Sequence, residues 1–218
     1  MGRAGEAARS IRLVKSMAQL VQPGNSPGNE YARQNYWTAS RYSPDSKMQV
    51  SGGMTRTIRI GCPSGFWGDS AIGAIQLTEM AELDYLMLDY LAEVTMSILV
   101  QARAKDPSFG YARDFITGAM NDTLETIAAR KIKVVTNAGG VNPQACARAL
   151  EALCAKKGLS LKIATVTGDD ALPILDDLNE ADKREMFSGA AFPDSVVSAN
   201  AYLGAAPVAA ALAKGADI

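Results

Sequence analysis

Two kinds of segment, distinguished by the spacing of their apolar residues, alternate along the chain. Short runs rich in β-branched residues end abruptly in loops of Gly, Asn, Asp and Ser, and stretches with apolar residues at helical spacing follow these loops. The pattern predicts strands at 57–60, 84–88, 132–136 and 161–167, and helices at 71–82, 91–105, 115–127, 143–156 and 207–214. Strands that alternate with helices predict an α/β fold, in which a mainly parallel open sheet carries helices on both faces.

Residues 1–53 differ from the rest and are interpreted as a basic, poorly structured extension. They hold seven Lys and Arg residues against three Asp and Glu residues, and Ile11, Val14 and Met17 would line one face of a short helix. Three interpretations of this extension are open: a mitochondrial transit peptide, a disordered tail, or residues before a true start at Met54. The third is suggested by the position of Met54, which directly precedes the first strand. The location is accordingly cytoplasmic or, with a transit peptide, the mitochondrial matrix.

Residues 54–218 are predicted to form the N-terminal α/β domain of a longer protein. After the helix at 207–214, Gly215 is a helix cap, and Ala216–Ile218 begins what should be another strand. A natural domain rarely ends on the first residues of a buried strand, so we expect a fragment truncated at its C-terminus. The missing strand would leave an exposed sheet edge, which favours association, and we expect a homo-oligomer.

The composition argues against several classes of function and of site, and identifies none. The formal net charge of -1 gives no support for nucleic-acid binding, and no apolar run is long enough to span a membrane. The chain has no histidine, so no Ser-His-Asp triad, Cys-His pair or histidine metal site can be built from it. The three cysteines are too few and too scattered for a disulfide framework, which favours a reducing compartment.

The loop Gly61–Ser70 is the strongest candidate for ligand binding, because open α/β sheets bind ligands outside the carboxyl ends of their strands. Its candidate ligand-binding residues are Ser64, Gly65, Trp67, Gly68 and Ser70, and Asp69 is a candidate catalytic acid or base. The alternative is a tight turn with a buried tryptophan, in which Asp69 or Ser70 caps the next helix. Cys62 is a weak candidate nucleophile, since no His or Lys lies next to it in sequence.

The loop 137–143 is a second candidate, with Asn137, Gly139, Gly140 and Asn142 as ligand-binding residues. Asn142 is a favourable N-cap, and Pro143 stands at the first helical position, where a missing N–H costs nothing. The start of this helix could bind a carboxylate or phosphate without a basic side chain. An ordinary capped strand-to-helix loop is equally compatible with these residues.

Two further segments supply polar groups. Gly168, Asp169 and Asp170 follow a strand and could hold Mg²⁺, hydrogen-bond a ribose, or act as acid and base. In the alternative, Asp170 caps the next helix and Asp169 is solvated. Asn200 offers an amide, and Tyr202 a phenol that could donate a proton in place of Asp69 or Asp169. Together the loops predict one composite small-molecule site.

The chain resembles the acyclic terpene utilisation family, labelled AtuA, in several stretches from about Ile58 to the end. The matching stretches are Ile58–Ser70, Lys133–Pro143, Thr165–Asp170, Ser198–Gly204 and the terminal Lys-Gly-Ala-Asp-Ile. The resemblance implies a role in breaking down acyclic terpenes such as citronellol and geraniol, through acyl-CoA thioesters. It implies no particular reaction and no established catalytic residues.

Three functions follow as hypotheses. The first is a soluble catabolic enzyme that acts on a branched acyl-CoA or carboxylic acid in a lyase, hydratase or carboxylation-linked step. The second is a non-catalytic binding or assembly subunit associated with an acyl-CoA carboxylase. The third is nucleotide binding through Gly168–Asp170, which lacks a phosphate-loop lysine. The sequence defines no cofactor; a CoA thioester as substrate and Mg²⁺ as a metal are the candidates that it suggests.

Overall fold

The computed structural model describes the strand at 11–14 and residues 57–175, 184, 187–191, 193 and 195–218. The predictions made for residues 1–10 and 15–56, including those for Met54, lie outside the described residues. The division of the chain at residue 53 stays a prediction.

Five strands, five α-helices and two short helical segments alternate along the described residues. The strands are β1 (Ile11–Val14), β2 (Ile60–Ser64), β3 (Tyr85–Leu88), β4 (Lys133–Thr136) and β5 (Ala164–Thr167). The α-helices are α1 (Ile72–Met80), α2 (Glu93–Lys105), α3 (Asn121–Arg130), α4 (Pro143–Lys156) and α5 (Ala206–Ala213). A π-helical segment, Phe115–Met120, leads into α3, and a 3₁₀ turn, Leu172–Ile174, follows β5.

The strands pair in parallel, which confirms the predicted α/β fold. One ladder runs in the order β2-β3-β4, and a second pairs β5 with β1. Residues Ala216–Ile218 lie between the two ladders. Val134 N–H of β4 donates to Asp217 O over 2.8 Å, and Ala164 N–H of β5 donates to Ile218 O over 2.8 Å. The predicted beginning of a strand at 216–218 therefore has strand-like backbone partners on both sides.

The helices fall on both faces of the sheet. Three connections, β2 to β3, β3 to β4 and β4 to β5, progress in one direction across the sheet, whereas the connection from β5 back to 216–218 reverses it. Because crossovers between parallel strands are right-handed, this reversal puts α5 on the opposite face from α4. Such a reversal of strand order is where open α/β sheets form a crevice for ligands.

The core forms where apolar helix faces meet the central strands. Leu86 and Leu88 of β3 are fully buried, as are Phe115 of the π-helical segment and Leu124 of α3. On α4 the predicted apolar side is confirmed, since the buried residues include Cys146, Leu150, Leu153 and Cys154.

Three local predictions are wrong. Ile11–Val14 form a strand rather than part of a helix, because they pair with β5, with Ile11 opposite Ala164. The first strand of the main domain begins at Ile60 and continues to Ser64, past Gly61, through an irregularity between Gly61 and Ser64 in its pairing with β3. Neither Asp69 nor Ser70 caps α1, whose N-cap is Ala71 and has no side-chain cap bond.

Candidate functional site

The carboxyl ends of β3 and β4 are joined by Asn137. Its Oδ1 accepts a hydrogen bond from the Tyr90 N–H at 2.8 Å, and its Nδ2 donates to Asp89 Oδ1 at 2.6 Å. Each end of the amide therefore has one partner within the protein. Asn137 holds two loops together, and its second amide hydrogen and second Oδ1 lone pair have no assigned partner among the described residues.

Asn142 fixes the start of α4, as its sequence position predicted. Its Oδ1 accepts from Ala145 N–H at 3.3 Å, which is an N-cap bond, and Pro143 follows at the first helical position. The Nδ2 group donates to two carbonyl oxygens, those of Pro107 and Phe109, at 3.0 and 2.7 Å. The side chain is 7% exposed. Asn142 thus positions the helix start and the 107–109 loop.

Gly140 lets the loop before α4 pass close to a neighbouring segment. Its φ of 51° lies in the left-handed region, and a Cβ built on it would stand 2.5 Å from Leu99 Cδ1 and 2.7 Å from Gly110 O. Only glycine fits this conformation and this space.

A cleft of about 550 Å³ lies at the carboxyl ends of β4 and β5, and we call it the polar cleft. It brings together five of the residues predicted to bind ligand or act in catalysis: Gly140, Gly168, Asp169, Asp170 and Asn200. Arg103, Gln144 and Ser198 add polar groups, and Val100, Val141, Leu172 and Val197 add apolar ones. Its volume lies within the usual range of small-molecule pockets.

The two adjacent aspartates of the polar cleft have different roles. Asp169 Oδ2 accepts from Asn200 Nδ2 at 2.9 Å, and the two segments are joined further by Ala201 N–H donating to Asp169 O at 2.7 Å. Asp170 Oδ1 accepts from Leu172 N–H at 3.0 Å, so Asp170 caps the short turn that follows. Within the described residues, no hydrogen-bond donor is assigned to Asp169 Oδ1, and this oxygen is the better candidate for contact with a ligand.

The loop after β2 lines a separate, smaller cavity of about 70 Å³, which we call the Trp67 cavity because Trp67, although not in its lining, bonds to the lining residue Asp114. Trp67 Nε1 donates to Asp114 Oδ1 at 2.6 Å. The cavity is lined by Ser64, Asp69, Ser70, Tyr90 and Asp114, among others. Ser64 Oγ is buried and has no hydrogen-bond partner among the described residues. Burial and the nearby charge of Asp114 raise the pKa of Tyr90 to about 12, so the phenol stays protonated at neutral pH.

Asp69 stabilises its own loop. Its Oδ2 accepts from Gly65 N–H at 3.0 Å and its Oδ1 from Ser70 N–H at 2.8 Å. These two backbone donors hold the pKa of Asp69 below its usual value. A carboxylate held ionised in this way is a poor general acid at neutral pH, and the bonds give it a structural role in the turn.

The structure distributes the predicted residues over different places rather than one composite site. Asp69 and Asp169 line different cavities. Tyr202 is 95% exposed, and its hydroxyl donates to Glu93 Oε1 at 3.3 Å. Gly139 lines neither the polar cleft nor the Trp67 cavity, and a Cβ on it would stand 2.8 Å from Pro143 Cβ. Gly65 and Gly68 have open space around them.

A third cavity, of about 290 Å³, lies between β4 and β5 and is lined largely by apolar side chains. We call it the apolar cavity. Residues from α4, α5 and both strands line it, and Ile218 borders it. It shares Gly140, Pro143 and Asp169 with the polar cleft, so the two are neighbours at the carboxyl end of the sheet.

The sequence analysis did not predict several residues that take part in these sites. Asp89 and Tyr90 directly follow β3, and this polar pair after an apolar strand was a usable signal. No local sequence pattern marks Arg103 or Asp114. Arg103 lies on α2 and Asp114 directly precedes the π-helical segment, and tertiary packing brings the first to the polar cleft and the second to Trp67. Arg103 donates to Val141 O at 2.6 Å and so forms part of the wall of the polar cleft.

The described residues contain neither a cluster of metal ligands nor a helix that could span a membrane. No three Cys, Asp or Glu side chains among them come together as a group that could hold a metal ion. None of the helices that the structure describes is both long enough and apolar enough to cross a membrane.

The fold is that of an α/β protein with a parallel sheet and polar loops at its strand ends. The model of the acyclic terpene utilisation family protein AtuA matches residues 58–218, which is most of the chain, and the chain therefore belongs to that family. This confirms the resemblance seen in the sequence, and it associates the protein with acyclic terpene utilisation. No curated protein and no solved structure matches the chain significantly.

Proposed function

We propose that the polar cleft binds the CoA thioester of an acyclic, methyl-branched terpenoid acid, and that Asp169 moves a proton on its acyl group. The observation that carries the proposal is that three loops from separate parts of the sequence line one cleft at a reversal of strand order. Membership of the acyclic terpene utilisation family supports the choice of an acyclic terpenoid as the substrate class.

The shape and polarity of the cleft suit an acyl chain with a carbonyl head. Val100, Val141 and Leu172 offer apolar contacts for methyl branches, and Asp169, Ser198 and Asn200 offer polar groups in the same lining. At the start of α4, Pro143 has no N–H and the Ala145 N–H is bonded to Asn142, so the N–H of Gln144, which lines the cleft, is the proposed donor to a carbonyl oxygen on which negative charge develops.

The carboxylates at the cleft favour the neutral carbonyl of a thioester over the carboxylate of a free acid at this position. The carboxylates of Asp169 and Asp170 would repel a second carboxylate, and Arg103, the basic residue in the lining, also donates to Val141 O. A thioester carbonyl is neutral and avoids this repulsion. The free terpenoid acid is the weaker ligand under this proposal.

Asp169 is proposed as the general base. Asn200 holds Oδ2, which orients the carboxylate and leaves Oδ1 to meet the acyl group. Lyase, hydratase and carboxylation-linked steps on an acyl-CoA all require proton transfer near the thioester carbonyl, and a positioned carboxylate contributes typically about 10²–10⁴-fold to such a transfer. The free cysteines suit a reducing compartment, the cytoplasm or the mitochondrial matrix.

The proposal is tested by binding and by isotope exchange on the same ligands. The protein is titrated with a geranyl-type CoA thioester, the corresponding free acid, CoA alone and a nucleotide, each with and without Mg²⁺. The thioester is then incubated with the protein in D₂O, and deuterium uptake into the acyl chain is followed by NMR. We expect the thioester to bind most tightly and to exchange protons.

The variant Asp169→Asn should keep thioester affinity within about threefold and lose exchange by about a hundredfold or more. Glu79→Gln, which changes an exposed carboxylate on α1 outside the cleft, is the matched control and should exchange at the original rate. Exchange by Asp169→Asn at the original rate, or absence of thioester binding, would overturn the proposal.

A second function, that of a non-catalytic assembly subunit of an acyl-CoA carboxylase, is favoured by a different observation. Several large apolar side chains on α1 and α2 are exposed, including Ile72, Met80, Val94 and Ile98. Exposed apolar residues in groups indicate contact with a partner protein. Thioester binding without proton exchange, together with co-purification of carboxylase subunits, would favour this function over catalysis.

A further inference from the structure

Helix α2 buries little of its own surface. Of its 13 residues, all of which the structure describes, Leu99 is the one that is buried. By comparison, six of the 14 residues of α4 are buried. A helix in a protein obtains most of its stability from the face that it packs against other elements. Helix α2 therefore presents a large surface that the described part of the chain does not cover.

The uncovered surface includes a stripe that runs the length of α2. Val94, Ile98, Gln101 and Lys105 are three or four positions apart, and residues at this spacing lie one above another on one face of a helix. All four are exposed, and the exposed fractions of Val94 and Ile98 are 72% and 49%. We call these four residues the α2 stripe. With about 3.6 residues per turn, the stripe falls on the side of the helix away from Leu99.

The charges at the two ends of α2 are complementary. Glu93 lies in the first turn and Lys105 in the last. Neither side chain has an oppositely charged partner among the described residues, although Glu93 Oε1 accepts a hydrogen bond from the Tyr202 hydroxyl. A second α2 helix that runs antiparallel to the first would bring Lys105 of each copy to Glu93 of the other. The opposite ends of the two helix dipoles would then also lie side by side.

We propose that the α2 stripe is an interface between two copies of this chain, whose α2 helices pack antiparallel about a two-fold axis. In this arrangement the stripe is complementary to itself, because Ile98 meets Gln101 of the other copy and Val94 meets Lys105. The methylene stem of Lys105 covers Val94, and its ammonium group pairs with Glu93. Apolar contacts thus lie along the stripe, with an ion pair at each end.

Tyr202 enlarges the interface. Its side chain is exposed and lies beside α2, since its hydroxyl donates to Glu93. Tyrosine is enriched at protein interfaces. Two helices of 13 residues, each about 20 Å long, bury less than the roughly 1,200–2,000 Å² of a standard stable interface, even with this addition. We therefore expect a dimer with a dissociation constant on the order of micromolar rather than nanomolar.

The interface and the polar cleft use different faces of the same helix. Val100 and Arg103 line the cleft, whereas the α2 stripe faces away from it. Tyr202 follows Asn200, which holds Asp169, by two residues. Pairing would therefore steady one wall of the cleft and the Asn200 segment. The inference is independent of the ligand that the cleft binds, and it uses a helix face rather than the sheet edge from which the sequence predicted association.

Charge reversal tests the pairing of the helix ends, with sedimentation velocity from about 1 to 100 µM as the measurement. Glu93→Lys and Lys105→Glu each place like charges together at both ends of the pair, and each should weaken association by about tenfold or more. A mixture of the two variants restores both ion pairs and should associate as tightly as the original protein. Since a misfolded chain could not restore the complex, the mixture also shows that both variants are folded.

A second arm tests the apolar part of the stripe. Ile98→Arg should leave the protein monomeric over the same range, because it sets a charge in the middle of the interface. Ile72→Arg is the matched control, since Ile72 lies on α1 and is 56% exposed, close to the value for Ile98. It should associate as the original protein does.

Three results would overturn the proposal: an original protein that stays monomeric at the highest concentration, a dimer that Ile98→Arg leaves intact, or a mixture of charge variants that associates no better than its components. A monomeric protein that binds a purified carboxylase subunit, and loses that binding with Ile98→Arg, would assign the α2 stripe to that partner and reject the second copy.

Discussion

Lys133 Nζ and Asp217 Oδ1 lie 2.7 Å apart in an ion pair that joins strand β4 to the residues between the two ladders. The same ammonium donates to Ala216 O at 2.9 Å, and the second carboxylate oxygen of Asp217 accepts from Lys162 N–H at 2.8 Å. One partly buried carboxylate therefore holds both sides of the sheet. Although burial opposes ionisation, the donors from Lys133 and Lys162 outweigh it and lower the pKa of Asp217.

Replacing Asp217 by Asn should destabilise the protein at neutral pH by about 1–2 kcal/mol, since a charge-assisted pair and its backbone bond are weakened. Because the folded pKa lies below the unfolded one, this stabilisation is present above the ordinary pKa of an aspartate and is lost as the pH falls through the folded value. Urea unfolding from pH 7 to acid should therefore show the two proteins converging at low pH.

The matched control is Glu125→Gln. It removes an ion pair of similar length, 2.8 Å, between Lys157 and the Glu125 carboxylate, whose side chain is 62% exposed. Although the Lys157 side chain is 17% exposed, the carboxylate that the variant replaces is largely in solvent, and the change should stay within about 0.5 kcal/mol. Equal losses for the two variants would contradict a special role for Asp217.

Asn142→Asp should be destabilising although aspartate is itself a favourable N-cap. The substitution keeps an acceptor for Ala145 N–H but removes the donors to Pro107 O and Phe109 O and sets a carboxylate against both carbonyls. We expect a loss of about 2–3 kcal/mol in the free energy of unfolding. Asn142→Ser, which keeps the cap without adding a charge, should lose less. An aspartate variant as stable as the original would show that capping alone matters here.

Gly140→Ala should lower stability by about 2 kcal/mol or more, because it combines a left-handed φ with contacts that real Cβ atoms do not make. Gly65→Ala is the control, since a Cβ there has nothing within 4 Å. Thermal unfolding of the two variants gives the comparison. A Gly140→Ala protein that unfolds at the original temperature would mean that the 110 loop and Leu99 move aside easily.

A thiol reagent should modify Cys62 in the folded protein and spare Cys146 and Cys154. Cys62 is exposed, whereas the other two are buried on α4. Burial raises the pKa of Cys146 to about 12 and also raises the pKa of Cys154, which keeps both as unreactive thiols near neutral pH. Mass spectrometry should show one modification when folded and three in denaturant. Rapid folded-state modification of Cys146 would instead show that the apolar cavity opens widely.

Sequence reasoning succeeded where the decisive interactions are local. The start of α4 was predictable because Asn142 and Pro143 act within one turn of the helix. The apolar side of the same helix was predictable from its spacing, and Cys146 and Leu150 are buried as expected.

Sequence reasoning failed where a distant segment decides the local structure. Residues Ile11–Val14 have a helical spacing of apolar residues, yet pairing with β5 makes them a strand. Gly61 has the composition of a loop, but it pairs with Leu86 and belongs to β2. In both cases the energy of a ladder formed across the chain exceeds the local preference.

The grouping of the candidate residues depends on strand order, which no local pattern reveals. The Gly140 and Gly168 loops meet because β4 and β5 are separated by one strand position. The Asp69 loop follows β2 at the far side of the β2-β3-β4 ladder, and it lines the Trp67 cavity instead. A single composite site was the natural expectation from sequence, and the order of the strands divides it.

The position of Ala216–Ile218 also bears on how the protein is made. A ribosome delivers β2, β3, β4 and β5 before it delivers the residues that lie between β4 and β5. One edge of each ladder therefore stays unpaired until these residues emerge. The contacts that they make with β4 and β5 join residues far apart in sequence, and such contacts form slowly. Among the described strands, the position between β4 and β5 is thus filled last during synthesis, and until then its edges are exposed surface of the kind that chaperones bind.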